Sequence, residues 1–483
     1  MTVAQGISYT VYIENRKERQ MPVSNINQIE QLVAQQRAFF ASGATRAISA
    51  RILLMKQIYQ SVKNHEQEIL DALAADLGKS SMEAYMTEIG ITLKELSHTM
   101  KHVERWAKPQ RRATWLANFH GKSMVVSEPY GVTLVMSPWN YPFMLCMTPM
   151  IGAIAAGNCC IIKPSAYAPA TSAVVRKVIE AACPREWVAV VEGGRAENNA
   201  LLDVRFDYIF FTGGPKVGRE IMAKAAKNLT PVTLELGGKS PVIIDDSADL
   251  KLAAKRIVFG KLVNCGQTCI APDYVLIDKR VEAKFADYVI EAIEQMYGED
   301  PISSPDYGCI VNEKHYRRLM NLIDIRKTYY GGVTDPARLK ISPTVMRNVT
   351  GEDAVMQEEI FGPILPIIPV ENMVEAEEFV LAREKPLALY VFTKRKAVED
   401  RFVNHVSYGG GCVNDTIMHI ASSDMPFGGV GNSGMGGYHG YDSFRTFSHE
   451  KSVLKKYNWI DLPLRYPPYK SKLLEQLIQL VLR

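Results

Sequence analysis

No run of about 18 apolar residues, the length a membrane-crossing helix needs, occurs in this chain. Met1 to Arg19 lacks the apolar core of a secretory leader. Charge of one sign is missing too: a net charge of +4 over 483 residues gives no footprint for a nucleic-acid partner. Cysteine is sparse. Cys146, Cys159, Cys160, Cys183, Cys265, Cys269, Cys309 and Cys412 are scattered, and no paired CxxC or Cys/His cluster has zinc spacing. No metal site is therefore expected. Unclustered thiols in a large, repeat-free chain point to a reducing compartment, here the cytoplasm. At the Gly213-Gly214 turn the glycine spacing does not match a GxGxxG dinucleotide fingerprint.

What is present is ordinary globular composition, 47% hydrophobic and 22% charged, in a chain too long for one core. Residues 1–23 read as a polar extension. From Ile26 to about Ala107 apolar residues recur at helical spacing, as in Ile29, Leu32 and Val33. Residues 109–128 contain Ser123 to Ser127, one arm of an extended hairpin. A βαβ rhythm follows. Strands are expected at Gly131–Met136, Cys159–Ile162, Trp187–Val191, Asp207–Phe211 and Thr230–Leu236. Pro142 is placed to open a helix and Gly157 to close it. The rhythm repeats after Lys239, with strands at Pro241–Asp245, Tyr274–Ile277, Ile364–Val370 and Ala388–Thr393. Strands alternating with helices imply parallel sheets covered on both faces. The fold class is α/β, with units over 24–236 and 237–422 and a seam near Leu236. A Gly-rich return covers 423–468. Residues 469–483 form an amphipathic tail that places Leu473, Leu474, Leu477, Ile478 and Val481 on one face.

Candidate chemistry sits at the strand ends, where doubly wound sheets bind ligands. Asn140, in a Pro-Trp-Asn-Tyr-Pro turn, offers an amide to an oxyanion, or shapes its own turn. Lys163 offers a cation to ribose or phosphate. Gly213 and Gly214 would let a pyrophosphate reach the next helix N-terminus. Glu235, between two leucines, would have a raised pKa if buried and then suits a general base. Glu359 precedes a turn and could grip ribose hydroxyls. Cys269, in Asn264-Cys265-Gly266-Gln267-Thr268-Cys269, is the candidate nucleophile. Its thiolate is the reactive form, so it needs partners; alone it equally fits a small buried hydrophobe.

The ordered set of these motifs resembles the aldehyde dehydrogenase superfamily over about residues 25–468. The set is P-W-N-Y-P (138–142), I-I-K-P-S (161–165), F-T-G-G-P-K-V-G (211–218), L-E-L-G-G-K-S-P (234–241), N-C-G-Q-T-C (264–269) and E-E-I-F-G-P (358–363). Residues 266–274, V-N-D-T-I-M-H (413–419) and G-G-V-G-N-S-G-M-G-G-Y-H-G (428–440) resemble its class 3 branch of fatty and aromatic aldehyde dehydrogenases. The resemblance implies a Rossmann-like NAD(P)-binding domain (24–236), a catalytic domain (237–422) and an oligomerisation hairpin. It also implies NAD and/or NADP as cofactor, an aldehyde substrate and a homodimer. It makes Cys269 the nucleophile, Asn140 the oxyanion amide and Glu235 the general base. Trp139, Lys163, Gly213, Gly214, Val217, Leu236 and Glu359 become cofactor contacts, and Phe361 the aromatic neighbour of the nicotinamide end. CoA-acylating relatives and a thiol hydrolase using His405 or His419 are the alternatives. Cys265 is a bystander or a reversible disulfide partner of Cys269. The tail is a lid over the substrate mouth, a packing helix, or a weak interfacial membrane contact.

One departure from the family pattern generates a prediction. Many relatives carry Glu three residues after the strand-end lysine, against the adenosine ribose; here the position is Ala166. Removing that carboxylate relieves repulsion of a 2′-phosphate. NADP is expected to support turnover beside NAD, and initial rates with both cofactors check it; no turnover with NADP would reject it.

Overall fold

The computed structural model describes residues 26–115, 118–459, 461, 466–468 and 471–481. The expected extension over 1–23 lies outside them. The helical N-terminal stretch resolves into Ile26–Ala41, Ile48–Asn64, Glu66–Leu77 and Gly90–Trp106. Their apolar stripes, including Ile29, Leu54, Ile58, Ile69 and Leu73, are fully buried. Helix Ile48–Asn64 packs on Pro169–Ala182, one of the helices covering the first sheet.

The first sheet has six strands, in the order Gly434–Met435, Val232–Glu235, Tyr208–Thr212, Val132–Met136, Cys159–Lys163, Val188–Val190. Five pair in parallel and are almost wholly buried, as a sheet covered on both faces requires. Gly434–Met435 joins antiparallel beside Glu235 and Leu234. The Gly-rich return therefore supplies an edge strand to the first sheet, which its composition did not announce. The second sheet has seven strands, ordered Thr328–Tyr330, Thr344–Met346, Ile364–Val370, Tyr274–Asp278, Pro241–Ile244, Ala388–Phe392, Gly410–Val413. All its pairings are parallel except the one made by Thr328–Tyr330.

The expected hairpin is instead a three-stranded sheet. Gly121–Pro129 pairs with Gln110–Arg112 on one side. On the other it pairs along its whole length with Ser448–Lys456, from the far end of the chain. Pairing at that sequence separation leaves no local turn signal. The tail forms a helix, Lys472–Val481. Leu473 and Leu480 are 68% and 74% exposed. Among the described residues no helix is long and apolar enough to cross a membrane.

Two expectations at one helix divide. Gly157 ends helix Met144–Ala156 in the left-handed region, φ +98. A Cβ there would lie 2.5 Å from the Arg51 guanidinium, so glycine is required. Pro142 does not open that helix; it lies in the turn before it, and the helix begins at Met144. The N-terminal amides are capped by a carboxylate from another helix. Glu88 Oε2 accepts from Phe143 N (2.8 Å) and Met144 N (3.1 Å). Its other oxygen accepts from Lys79 Nζ at 2.5 Å, and both side chains are wholly buried. Glu88 lies in a π-helical turn, Tyr85–Ile89, between Ser81–Ala84 and Gly90–Trp106. Removing one partner of a buried pair leaves the other charge uncompensated. Lys79→Met should therefore cost about 3 kcal/mol or more of stability, read as a lower urea midpoint; an unchanged midpoint would contradict this account of the pair.

Candidate active site

Strand Val132–Met136 is where the order of the first sheet reverses: Cys159–Lys163 lies on one side of it, Tyr208–Thr212 on the other. Loops leaving neighbouring strands at such a point diverge and open a crevice. The crevice here is a cavity of about 320 Å³. Trp139, Asn140, Gly213, Gly214, Glu235 and Leu236 line it from the first sheet, and Cys269, Glu359 and Phe361 from beyond the seam. Two expected contacts stand apart from this lining. Lys163 is 3% exposed and its Nζ donates to Pro164 O and Gly193 O, both at 2.6 Å. Burial pulls its pKa down to about 8. Val217 stands on the first turn of helix Pro215–Ala226, 43% exposed.

A second, mostly apolar cavity of about 180 Å³ meets the first. Tyr141, Met144, Leu145, Phe259, Ile270 and Phe427 are among its walls. Thr212, Glu235, Leu236 and Cys269 line both cavities. The thiol and the carboxylate therefore stand where a chamber of mixed lining and a strongly apolar one touch.

The loop carrying Cys269 holds an uncommon backbone. Asn264 and Cys265 both have φ +54, and Gly266 has φ +75. A Cβ on Gly266 would fall 2.3 Å from Gly362 O. Consecutive left-handed residues persist only where the surroundings over-determine them. Here Gln267, fully buried, donates from Nε2 to Asn264 O (3.0 Å) and Cys309 O (2.9 Å), and accepts from Val311 N (3.0 Å). Asn264 N donates to Glu83 Oε1 at 2.9 Å. Asn264 Nδ2 donates to Asn140 O (2.7 Å) and Gln267 O (3.1 Å). Asn140 Nδ2 donates to Gln267 O at 3.0 Å. That bond fixes the Asn140 amide with one N–H engaged and one left over. Tyr141 OH and Thr268 Oγ1 close the same seam at 2.5 Å.

The loop with Glu359 and Phe361 is pinned likewise. Lys239, paired with Asp273, donates to Val355 O (2.9 Å) and Glu358 O (2.8 Å). Asp273 Oδ1 accepts from Ile360 N (2.9 Å), and Arg318 donates to Glu359 O and Ile360 O. Glu83, Lys79, Gln267, Lys239 and Arg318 were not singled out in the sequence. Gln267 and Lys239 at least lie inside recognisable motifs. Glu83 is 181 residues from the amide it binds, and nothing local marks it.

Charge is unwelcome at this centre. Glu235 ends its strand 2% exposed, and both its carboxylate oxygens are buried without a hydrogen-bond partner. Burial raises its pKa well above the usual carboxylate range. Burial first, then the negative charge of Glu359 and Glu235, pushes the half-buried Cys269 thiol up to about 12. Burial and Asp273 raise Glu359 to about 8. A buried, unpartnered carboxylate beside a thiol in a cleft is a functional signature rather than a stabilising one.

The larger cavity fits a dinucleotide. Thr212 Oγ1 and Glu359 Oε1 are buried without partners. Gly214 faces open space at the N-terminus of helix Pro215–Ala226. A Cβ on Gly237 would lie 2.2 Å from Glu359 Oε2 and displace that carboxylate.

The other sulfur and histidine candidates go elsewhere. Cys265 packs into the second core with Tyr274 and Tyr307, whereas Cys269 packs against the first. His405 pairs with Glu377 at 3.2 Å, and His419 Nδ1 lies 3.6 Å from Cys412 Sγ. Neither offers Cys269 the base that a thiol hydrolase needs. With its thiol pushed to about 12, Cys269 should be alkylated slowly by iodoacetamide near neutral pH in the cofactor-free protein, and faster as pH rises past 10. Peptide mapping of the modified cysteine checks this, and a rate already at plateau by pH 8 would contradict it.

Residues 13–453 match the aldehyde dehydrogenase family. The chain is 46% identical over 449 residues to the 4,4'-diaponeurosporen-aldehyde dehydrogenase of Staphylococcus aureus, covering 92% of this chain and 98% of that one. It is 42% identical over 450 residues to the dimeric, NADP-preferring aldehyde dehydrogenase of Canis lupus familiaris, covering 93% and 99%. A solved structure of Staphylococcus aureus AldH in a substrate-bound state superposes with a TM-score of 0.92 at 45% identity, covering 94% of this chain and 99% of that one. The cleft, its thiol and its match across most of the sequence place the chain in the aldehyde dehydrogenase family.

Proposed function

We propose that the protein is a non-acylating aldehyde dehydrogenase that oxidises medium- to long-chain aliphatic or aromatic aldehydes to carboxylic acids. The observation that carries this reading is the junction of the two cavities at Cys269 and Glu235. The apolar chamber suits the hydrocarbon part of the substrate. The larger chamber, of mixed lining, suits NAD or NADP, held by Trp139, Gly213, Gly214, Leu236, Glu359 and Phe361, with Lys163 and Val217 at its margin. Ala166, exposed beyond the strand end, supports acceptance of both cofactors.

In this mechanism the Cys269 thiol loses its proton to solvent, and Sγ attacks the aldehyde carbon to form the anion of a thiohemiacetal. The carbonyl oxygen, now negative, takes the free N–H of Asn140 and the Cys269 backbone N–H. A nicotinamide ring held by Trp139, Glu359 and Phe361 would supply the hydride acceptor, and loss of hydride from that carbon would leave a thioester on Cys269. Glu235, with no partner of its own, takes a proton from a water that attacks the thioester. The acid leaves and the thiol is restored. A CoA-acylating enzyme has no need of a water-activating base, and Glu235 argues against that alternative.

The chain is read as a homodimer. Its three-stranded sheet exposes Val453 and Leu454, with Trp115 nearby in the chain, as an assembly surface would. The dimeric canine relative supports this reading.

Glu235→Gln separates the two halves of the cycle. Acylation should proceed and deacylation should slow by roughly 10²–10⁴. Rapid mixing should show a burst of reduced cofactor close to one per site, and intact mass should show acyl-enzyme lost on Cys269→Ala. A variant with steady turnover at the wild-type rate would overturn the role of Glu235.

A further inference from the structure

A third chamber of about 190 Å³ adjoins the apolar cavity. Met86, Ile91, Ile420, Ala421 and His439 line both. His439 is the polar member of that shared wall. Its backbone is strained, at φ +87 and ψ +132, a region that a residue with a side chain rarely holds. Surrounding bonds impose it. His439 N donates to Ser443 Oγ (2.8 Å), and its carbonyl accepts from Asp442 N (3.0 Å) and Ser443 N (3.3 Å). The next residue, Gly440, donates to the buried Glu95 Oε1 at 2.8 Å. The ring lies on Phe427, 5.5 Å between centroids and 21° between planes, with Tyr438 at its edge.

The fold thus holds an imidazole at the wall of both chambers, at a cost in backbone strain. Among the described residues that imidazole has no hydrogen-bond partner. The polar groups around it are committed. Lys94 Nζ donates to Ala421 O (2.6 Å), Thr148 Oγ1 to Met144 O (3.0 Å), and Glu95 accepts from Gly440. Burial lowers the His439 pKa to about 4, so at neutral pH the ring is uncharged, with one donor and one acceptor nitrogen. Such a ring recognises a neutral oxygen group. An ionised carboxylate would meet Glu95 and an apolar wall.

We propose that His439 is a substrate-binding residue that hydrogen-bonds a hydroxyl carried along the aldehyde chain, so that the enzyme favours hydroxylated aliphatic aldehydes over unsubstituted ones of equal length. This rests on the dehydrogenase reading above. The proton stays in the hydrogen bond, and no further chemistry is implied.

The test walks a hydroxyl outward along one medium-chain alkanal, beyond the positions that close to a cyclic hemiacetal. kcat/KM of each hydroxyalkanal is divided by that of the parent aldehyde. For the wild type the ratio should pass through a maximum of about ten, the size of one neutral hydrogen bond. In His439→Phe, which keeps a ring for Phe427, the ratio should fall to about one at every position. His439→Gln, which keeps a donor and an acceptor, should retain part of it. A second measurement needs no variant: a medium-chain diol should inhibit the wild type more strongly than the corresponding mono-alcohol. A flat wild-type series, equal inhibition by diol and mono-alcohol, or a maximum that survives in His439→Phe would each overturn the proposal. No turnover with any aldehyde would overturn the dehydrogenase reading instead.

Discussion

The buried pair of Lys79 and Glu88 is the constraint on which the rest of the site depends. Glu88 holds the first amides of helix Met144–Ala156. Lys79 holds Glu88, reaches Asn140 O at 3.3 Å and lies 4.1 Å from the centroid of the Tyr141 ring. The turn that presents Asn140 is therefore clamped from an N-terminal helical segment, not by its own sheet. Asn264 Nδ2 donates to the same carbonyl at 2.7 Å. A carbonyl that accepts from two elements fixes their spacing, and here the two elements carry the amide and the thiol. A buried ion pair is poor evidence for net stability, because desolvation offsets its attraction. Its value here is geometric: it leaves the turn one arrangement.

That rigidity matters because the centre itself is electrostatically unfavourable. Glu235 is buried with both oxygens unpartnered, and Cys269 stands beside it with a raised pKa. Groups so placed would relax toward water or toward partners if their loops could move. The left-handed run at Asn264–Gly266, tied down through Gln267 and Glu83, prevents this for the thiol. Strand pairing on both sides does so for Glu235, with Thr212 as one neighbour and Gly434 as the other. The Gly-rich return thus acts on the reactive centre as well as on the sheet edge.

Much of this was legible in the chain. Continuous apolar runs such as Cys159–Ile162 announced buried parallel strands, because a strand covered on both faces has no polar side. Polar residues at the ends of those runs announced the site, because that is where loops open. The corrections have one cause. Ser448–Lys456 beside Gly121–Pro129, Gly434–Met435 beside Glu235, and Glu88 on the helix after Pro142 all join segments far apart in sequence. Periodicity reports on neighbours along the chain and is silent about such contacts.

By itself the sequence determined the α/β class, the strand ends and the identity of the groups with chemistry to offer: Cys269, Asn140, Glu235 and Glu359. It did so because residue type and local spacing suffice for propensity, turn formation and nucleophilicity. Only the tertiary structure decided that Cys269 and Glu235 share two chambers, that Lys163 and Val217 stand off the larger one, and that Cys265 faces a different core from Cys269. It also decided the burial that raises the pKa of Glu235 and Cys269 and lowers that of His439. Desolvation is a property of what surrounds a group, and those surroundings are assembled from the whole chain.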